Sequence, residues 1–114
     1  MLKSKSYVFA LDIVLFIKKL TLDRNNQVLI HQLLRCGTSV GANVEEANGA
    51  QTKKDFNAKI YIAYKEARES RFWLRLLRDA KVADVQEIEQ LLMQCEELLR
   101  IMGRIISTLK QDMQ

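Results

Sequence analysis

Residues Arg35–Leu77 read RCGTSVGANVEEANGAQTKKDFNAKIYIAYKEARESRFWLRLL, and their spacing decides the fold. Continuing a series begun at Ile30 and Leu33, the residues Gly37, Val40, Val44 and Ala47 recur every three or four positions, the period of one helix face. The pattern predicts a helix from a cap at Asn25 or Asn26 to about Asn48. Gly37 and Gly41 lie one turn apart, beside Cys36, Ser39 and Ala42. A glycine inside a helix costs up to about 1 kcal/mol against alanine. Two of them therefore predict the close approach of a neighbour's backbone or bulky side chain. Gly49 is expected to take the left-handed conformation that commonly ends a helix. Thr52 is expected to cap the next helix, with Asp55 three residues on. Phe56, Ile60, Ala63, Ala67, Ser70, Leu74 and Leu77 then form the seam of a helix from about Lys53 to Ala80.

Working outward, two more helices are legible. The first spans roughly Ser6 to Leu20, where Val8–Leu11 and Ile13–Ile17 are apolar on nearly every face. A helix that is apolar all round must be buried all round. One bundle core in so short a chain cannot cover every side of it, so the excess predicts a subunit interface. Beyond the stretch, Asp84 and Glu87 read as a capping box. Ile88, Leu92, Cys95, Leu99, Met102, Ile106 and Leu109 continue the same spacing, widened by Leu91, Leu98 and Ile105. That helix is expected to reach about Lys110, with Gln111–Gln114 frayed. The fold class is all-α: an antiparallel, up-down-up-down four-helix bundle formed by residues 1–114 as a single domain.

Composition agrees. The 114 residues contain no proline and four glycines, too little turn punctuation for an all-β chain. A net charge of +4 permits contact with nucleic acid without demanding it. Cys36 and Cys95 show no metal-ligand spacing and read as small buried residues of a reduced, cytosolic protein. Lys3 and Lys5 precede an apolar run, but Asp12 interrupts it and no small-residue cleavage site follows. The run is also shorter than the roughly 20 residues a membrane span needs, so the chain reads as soluble, untargeted and cytoplasmic.

Chemistry-bearing clusters are sparse. His31 is alone, Glu45 and Glu46 are adjacent and diverge, and neither a phosphate-cradling glycine loop nor Glu-x-x-His pairs occur. No cofactor, metal or catalytic centre is expected. Arg35, Ser39, Asn43 and Glu46 form one polar stripe on the second helix, facing Lys59, Glu66 and Glu69 of the third. The stripe reads as an interhelical polar network that fixes register, with a binding cleft as the alternative. Along the third helix, Lys65, Arg68, Arg71, Arg75 and Arg78 share one face, flanked by Tyr61, Tyr64 and Phe72. Lys53–Lys81 holds nine cations and four acids, a net +5 that exceeds the charge of the whole chain. Arginines interleaved with aromatics suit phosphates and stacked bases, and suit an acidic protein equally. A solvated face paired with Glu87, Glu89, Glu96 and Glu97 of the fourth helix remains the alternative.

The ordered set Arg35-x-x-x-Ser39-x-x-x-Asn43-x-x-Glu46, Gly49, Lys54-Asp55-Phe56, Lys65-Glu66-Ala67-Arg68-Glu69 and Trp73-Leu74-Arg75-Leu76-Leu77 resembles a bacterial four-helix-bundle family. Its members include proteins encoded in intervening sequences of 23S rRNA genes, often carrying a ribosomal-protein label. The resemblance covers nearly the whole chain. It implies an antiparallel four-helix bundle and assembly as a homopentameric barrel. A similar protein is the accessory variability subunit of diversity-generating retroelements, a basic pentamer that binds a reverse transcriptase and nucleic acid. Many relatives have a proline or large apolar residue where this chain has Gly41. The resemblance implies no enzymatic activity.

Two expectations follow. The first is a homo-oligomer, pentameric by resemblance, that binds RNA, DNA or a nucleoprotein such as a reverse transcriptase complex through the Lys65–Arg78 face. The second is a scaffold that docks an acidic protein partner without nucleic acid.

Overall fold

A computed structural model describes residues 1–112. Four helices follow one another: α1 (Leu2–Lys18), α2 (Gln27–Asn48), α3 (Lys53–Asp79) and α4 (Val85–Asp112). Each packs on its neighbour in chain order, and α1 closes the ring on α4. Among the described residues, neither diagonal pair approaches. Lys53–Asp112 and Arg78–Glu89 run in opposite directions along α3 and α4, as do Lys5–Glu97 and Lys19–Glu87 along α1 and α4, and the approaches of Gly37 to Ile13 and Gly41 to Ser6 along α2 and α1. The architecture is therefore the up-down-up-down bundle, with extents of 47 × 22 × 21 Å.

The seams read from the sequence are the core. Ile30, Leu33, Val40, Val44, Ile60, Ala63, Ala67, Leu74, Leu77, Ile88, Cys95 and Met102 are all buried, and only Phe56 and Ile105 stay partly exposed. Burying one large aliphatic or aromatic side chain contributes about 1.5–3 kcal/mol, and Phe9, Ile13 and Phe16 of α1 add three such groups. The helix glycines seat α1. A Cβ on Gly41 would lie 3.1 Å from the Ser6 carbonyl oxygen and 3.3 Å from the Ala10 Cβ; one on Gly37 would lie 3.1 Å from Ile13 Cγ1. The close neighbour these glycines predict is thus α1, through its backbone at Gly41 and through the Ile13 side chain at Gly37.

The structure departs from the sequence reading mainly at helix ends. α1 starts at Leu2 rather than Ser6: the Lys5 amide already donates to the Met1 carbonyl at 3.0 Å, and the Ser4 and Ser6 hydroxyls donate to the Met1 and Lys3 carbonyls. It stops at Lys18, short of Leu20. Asn26 holds the N-cap position of α2, but its side chain accepts from the Asp23 amide (2.8 Å) instead of an α2 amide. Asp23 in turn accepts from the Asn25 and Asn26 amides, so these side chains close the preceding turn on itself. Gly49 has φ −94° and is not left-handed; the Glu45 and Glu46 carbonyls accept its amide without that conformation. Thr52 caps α3 as read, its hydroxyl accepting from the Asp55 amide at 3.1 Å.

α3 ends on a left-handed residue that the sequence reading did not find. Lys81 has φ 59°, its amide donates to the Arg78 carbonyl, and the Val82 amide donates to the Leu77 carbonyl. This is a Schellman ending with a lysine at the position glycine favours. At α4, Asp84 accepts from the Gln86 amide, while Glu87 turns away to pair with Lys19 and leaves the box open. Gln111 and Asp112 are still helical, so fraying does not begin at Gln111. The rest of that expectation, at residues 113–114, lies outside the described residues.

Candidate nucleic-acid interface

The inward seam of α3 dictates what faces out. With Ala63, Ala67, Ser70, Leu74 and Leu77 turned to the core, Lys65, Arg68 and Arg75 are exposed and Arg71 is half-buried beside them. None of these four makes an ion pair or side-chain hydrogen bond among the described residues. The α4 acids that could have neutralised them are placed elsewhere. Glu87 pairs with Lys19, Glu97 with Lys5 and Glu89 with Arg78; Glu96 has no ion pair among the described residues.

Arg78 differs from the rest of the row. Its guanidinium donates to Asp79 (2.9 Å) and to Glu89 (3.2 Å), tying the end of α3 to α4. The hydrogen bond from Arg78 also holds the Asp79 carboxyl below its usual range. The cationic face thus has four uncommitted members, Lys65, Arg68, Arg71 and Arg75, and one committed.

Two grooves open on this face. One, about 640 Å³, lies between α3 and α4, and its lining includes Tyr61, Tyr64, Lys65, Arg68, Gly103 and Lys110. The other, about 370 Å³, is bordered by Lys65, Arg68, Glu69, Arg71, Phe72 and Arg75. Lys65 and Arg68 belong to both, so the grooves adjoin. Glu69 is the one acid bordering them, and its carboxylate is already engaged.

That engagement belongs to the polar stripe. Arg35 reaches across from α2 to Glu66 (3.1 Å) and to Glu69, and the Trp73 indole N–H donates to the same Glu69 oxygen at 3.0 Å. Arg35, Glu66 and Glu69 come together as the sequence suggests, and Trp73 joins them. The rest of the stripe does not cross. The short Asn43 amide donates to the Ser39 carbonyl and hydroxyl of its own helix, both at 2.9 Å. Glu46 is exposed and Lys59 half-buried, and neither has a side-chain partner among the described residues. The stripe is therefore one interhelical clamp plus a local pair on α2.

The chain belongs to the 23S rRNA-intervening sequence protein family. The family's sequence model, described in those words, matches residues 2–104. The bundle is similar to a crystal structure, at 1.70 Å, of a protein of unknown function from the S23 ribosomal protein family of Bacteroides thetaiotaomicron. The two are 38% identical with a TM-score of 0.86, over 93% of this chain and 98% of that one. No curated protein matches the sequence.

In this 23S rRNA-intervening sequence protein, no three His, Cys, Asp or Glu side chains converge as a metal site among the described residues. No described helix is long and apolar enough to cross a membrane. Both cysteines are free and buried. Burial pushes the Cys36 thiol up to about 11 and the Cys95 thiol up to about 12, so both stay protonated and unreactive near neutrality. His31 stands on an exposed face.

Proposed function

We propose that this protein is a non-enzymatic nucleic-acid-binding module that grips phosphates with Lys65, Arg68, Arg71 and Arg75. The supporting observation is that these four cations share one face of α3 and border two adjoining grooves, with no acid committed to any of them among the described residues. Elsewhere on the surface, Lys5, Lys19, Arg35 and Arg78 are held by carboxylates, which weakens their pull on a distant anion. Lys65 to Arg75 spans ten residues, about 15 Å of helix. At roughly 3.4 Å per phosphate along one strand, that is the reach of about four phosphates.

The protein acts as a homo-oligomer in this reading. Tyr7, Val8, Leu11 and Leu15 form an outward apolar stripe on α1, and Met93 of α4 is also exposed. A second copy is the proposed cover for that stripe, and the resemblance to pentameric relatives sets five as the expected number. Repeating the α3 row around an axis multiplies the field of one chain. A nucleoprotein such as a reverse transcriptase complex is the partner class the same resemblance points to. The alternative is an acidic protein partner, whose apolar side chains would cover Phe72, 54% exposed among the arginines and edge-on to Trp73 with ring centres 5.0 Å apart.

Fluorescence anisotropy with a structured RNA at low salt tests the proposal. Replacing Lys65, Arg68, Arg71 and Arg75 with alanine together is expected to weaken binding by well over tenfold, while Arg78→Ala changes it little. Wild-type affinity in the fourfold variant refutes it. A single nuclease-insensitive acidic partner on a pull-down supports the scaffold reading instead.

A further inference from the structure

The larger groove has a composition that a phosphate track alone does not require. Lys65, Arg68 and Lys110 border it, and no acid does. Its walls are Tyr61, Tyr64 and Ile106, and Ser107 supplies a hydroxyl. Gly103 keeps it open: a Cβ there would meet only the Tyr64 ring edge, at an ordinary 3.8 Å. Any larger side chain on Gly103 would project into the same space. Its 640 Å³ falls within the roughly 300–1,000 Å³ of small-molecule sites, enough for one nucleotide and too little for a duplex. Tyr61, at 42% exposure, offers a ring to solvent at the edge of the groove.

Resting on the phosphate-binding reading of α3, we infer that this groove takes one unstacked nucleotide of a single strand. Its base lies against the tyrosines, and its phosphate is met by Lys65, Arg68 and Lys110. The neighbouring phosphates continue into the second groove along Arg71 and Arg75. An aromatic ring stacks on any base, so the site selects single-stranded over duplex nucleic acid without reading sequence. Phosphate contacts along Arg71 and Arg75 do not by themselves discriminate between the two.

Anisotropy with short oligo(dT), oligo(rU) and a duplex of equal length tests this. Both single strands are expected to bind at least tenfold more tightly than the duplex. Tyr61→Ala, at an exposed position, is expected to cost about tenfold on the single strands. Gly103→Leu, which fills the groove without changing charge, is expected to remove the single-strand preference and leave duplex affinity intact. Circular dichroism confirms that each variant is folded, and Tyr61→Ala carries the test if Gly103→Leu is not. Equal binding of single strand and duplex by the wild type overturns the pocket while leaving the phosphate row standing, as does an unchanged preference in Tyr61→Ala. Failure of every probe to bind overturns both.

Discussion

Gly41→Ala and Gly103→Ala are the same chemical change in two helices of one bundle, and the structure predicts opposite signs for them. In either helix, alanine for glycine gains up to about 1 kcal/mol of intrinsic propensity. At Gly103 nothing opposes that gain, because the nearest atom to the new methyl is the Tyr64 ring at 3.8 Å. At Gly41 the methyl would sit 3.1 Å from the Ser6 carbonyl oxygen and 3.3 Å from the Ala10 methyl. Comfortable carbon contacts are about 3.5–4.0 Å, so α1 must retreat by a few tenths of an ångström. A backbone oxygen cannot swing aside as a side chain can, and Phe9, Ile13 and Phe16 move with it. Overpacking of this kind costs about 1–3 kcal/mol, which leaves Gly41→Ala about 1 kcal/mol less stable than wild type. Gly103→Ala is about 0.5–1 kcal/mol more stable. For a chain of this size, about 1 kcal/mol moves Tm by roughly 4 °C. Thermal unfolding followed by circular dichroism should therefore separate the two variants by about 6–8 °C. Equal stabilisation by both substitutions refutes the seating of α1 on Gly41.

Three further outcomes are expected. Lys81→Gly relieves a left-handed lysine and raises stability by about 1 kcal/mol, read as an upward Tm shift. Stability falls as pH rises above about 9. There the unfolded thiols ionise near their ordinary value while buried Cys36 and Cys95 hold their protons to about 11 and 12. The slope is at most about 1.4 kcal/mol per pH unit for each thiol; a Cys36→Ala/Cys95→Ala variant lacks it, so the difference between the two proteins' urea-unfolding stabilities shows it directly. Leu11→Glu with Leu15→Glu leaves the bundle folded, since both side chains face outward, yet reduces the assembly to a 13.2 kDa particle by light scattering. A wild type that already scatters at that mass contradicts the interface.

What was legible in the sequence is what depends on helical period alone. The seams of α2, α3 and α4 follow from residues three and four apart, and burial at those positions needs no knowledge of neighbours. The Arg35–Glu66–Glu69 clamp was legible because an antiparallel hairpin sets the register of α2 and α3. Features that depend on a third helix were not. The groove over Gly103 requires the alignment of Tyr61 and Tyr64 with α4, and pairing of the row with α4 acids, readable only as an alternative, holds at Arg78 with Glu89 and at no other member of the row among the described residues. Helix ends misled in both directions: Gly49 looked like a left-handed stop and is not, whereas Lys81 is one without glycine to mark it. At both, the chain satisfies its terminal carbonyls by local geometry rather than by residue type. Asn43 shows the same limit in side chains, since an amide able to reach across helices finds equivalent partners on its own.

On the proposed function, Lys65, Arg68, Arg71 and Arg75 exchange their small-ion partners for phosphates. The most direct measurement is the salt dependence of RNA affinity. Each phosphate contact contributes about 0.7–0.9 to the slope of log affinity against log salt, so four contacts predict a slope near −3. Affinity should then drop about sixtyfold between roughly 50 and 200 mM salt, and the fourfold alanine variant should be nearly flat over that range. A wild-type slope near zero, or one the variant retains, contradicts the account.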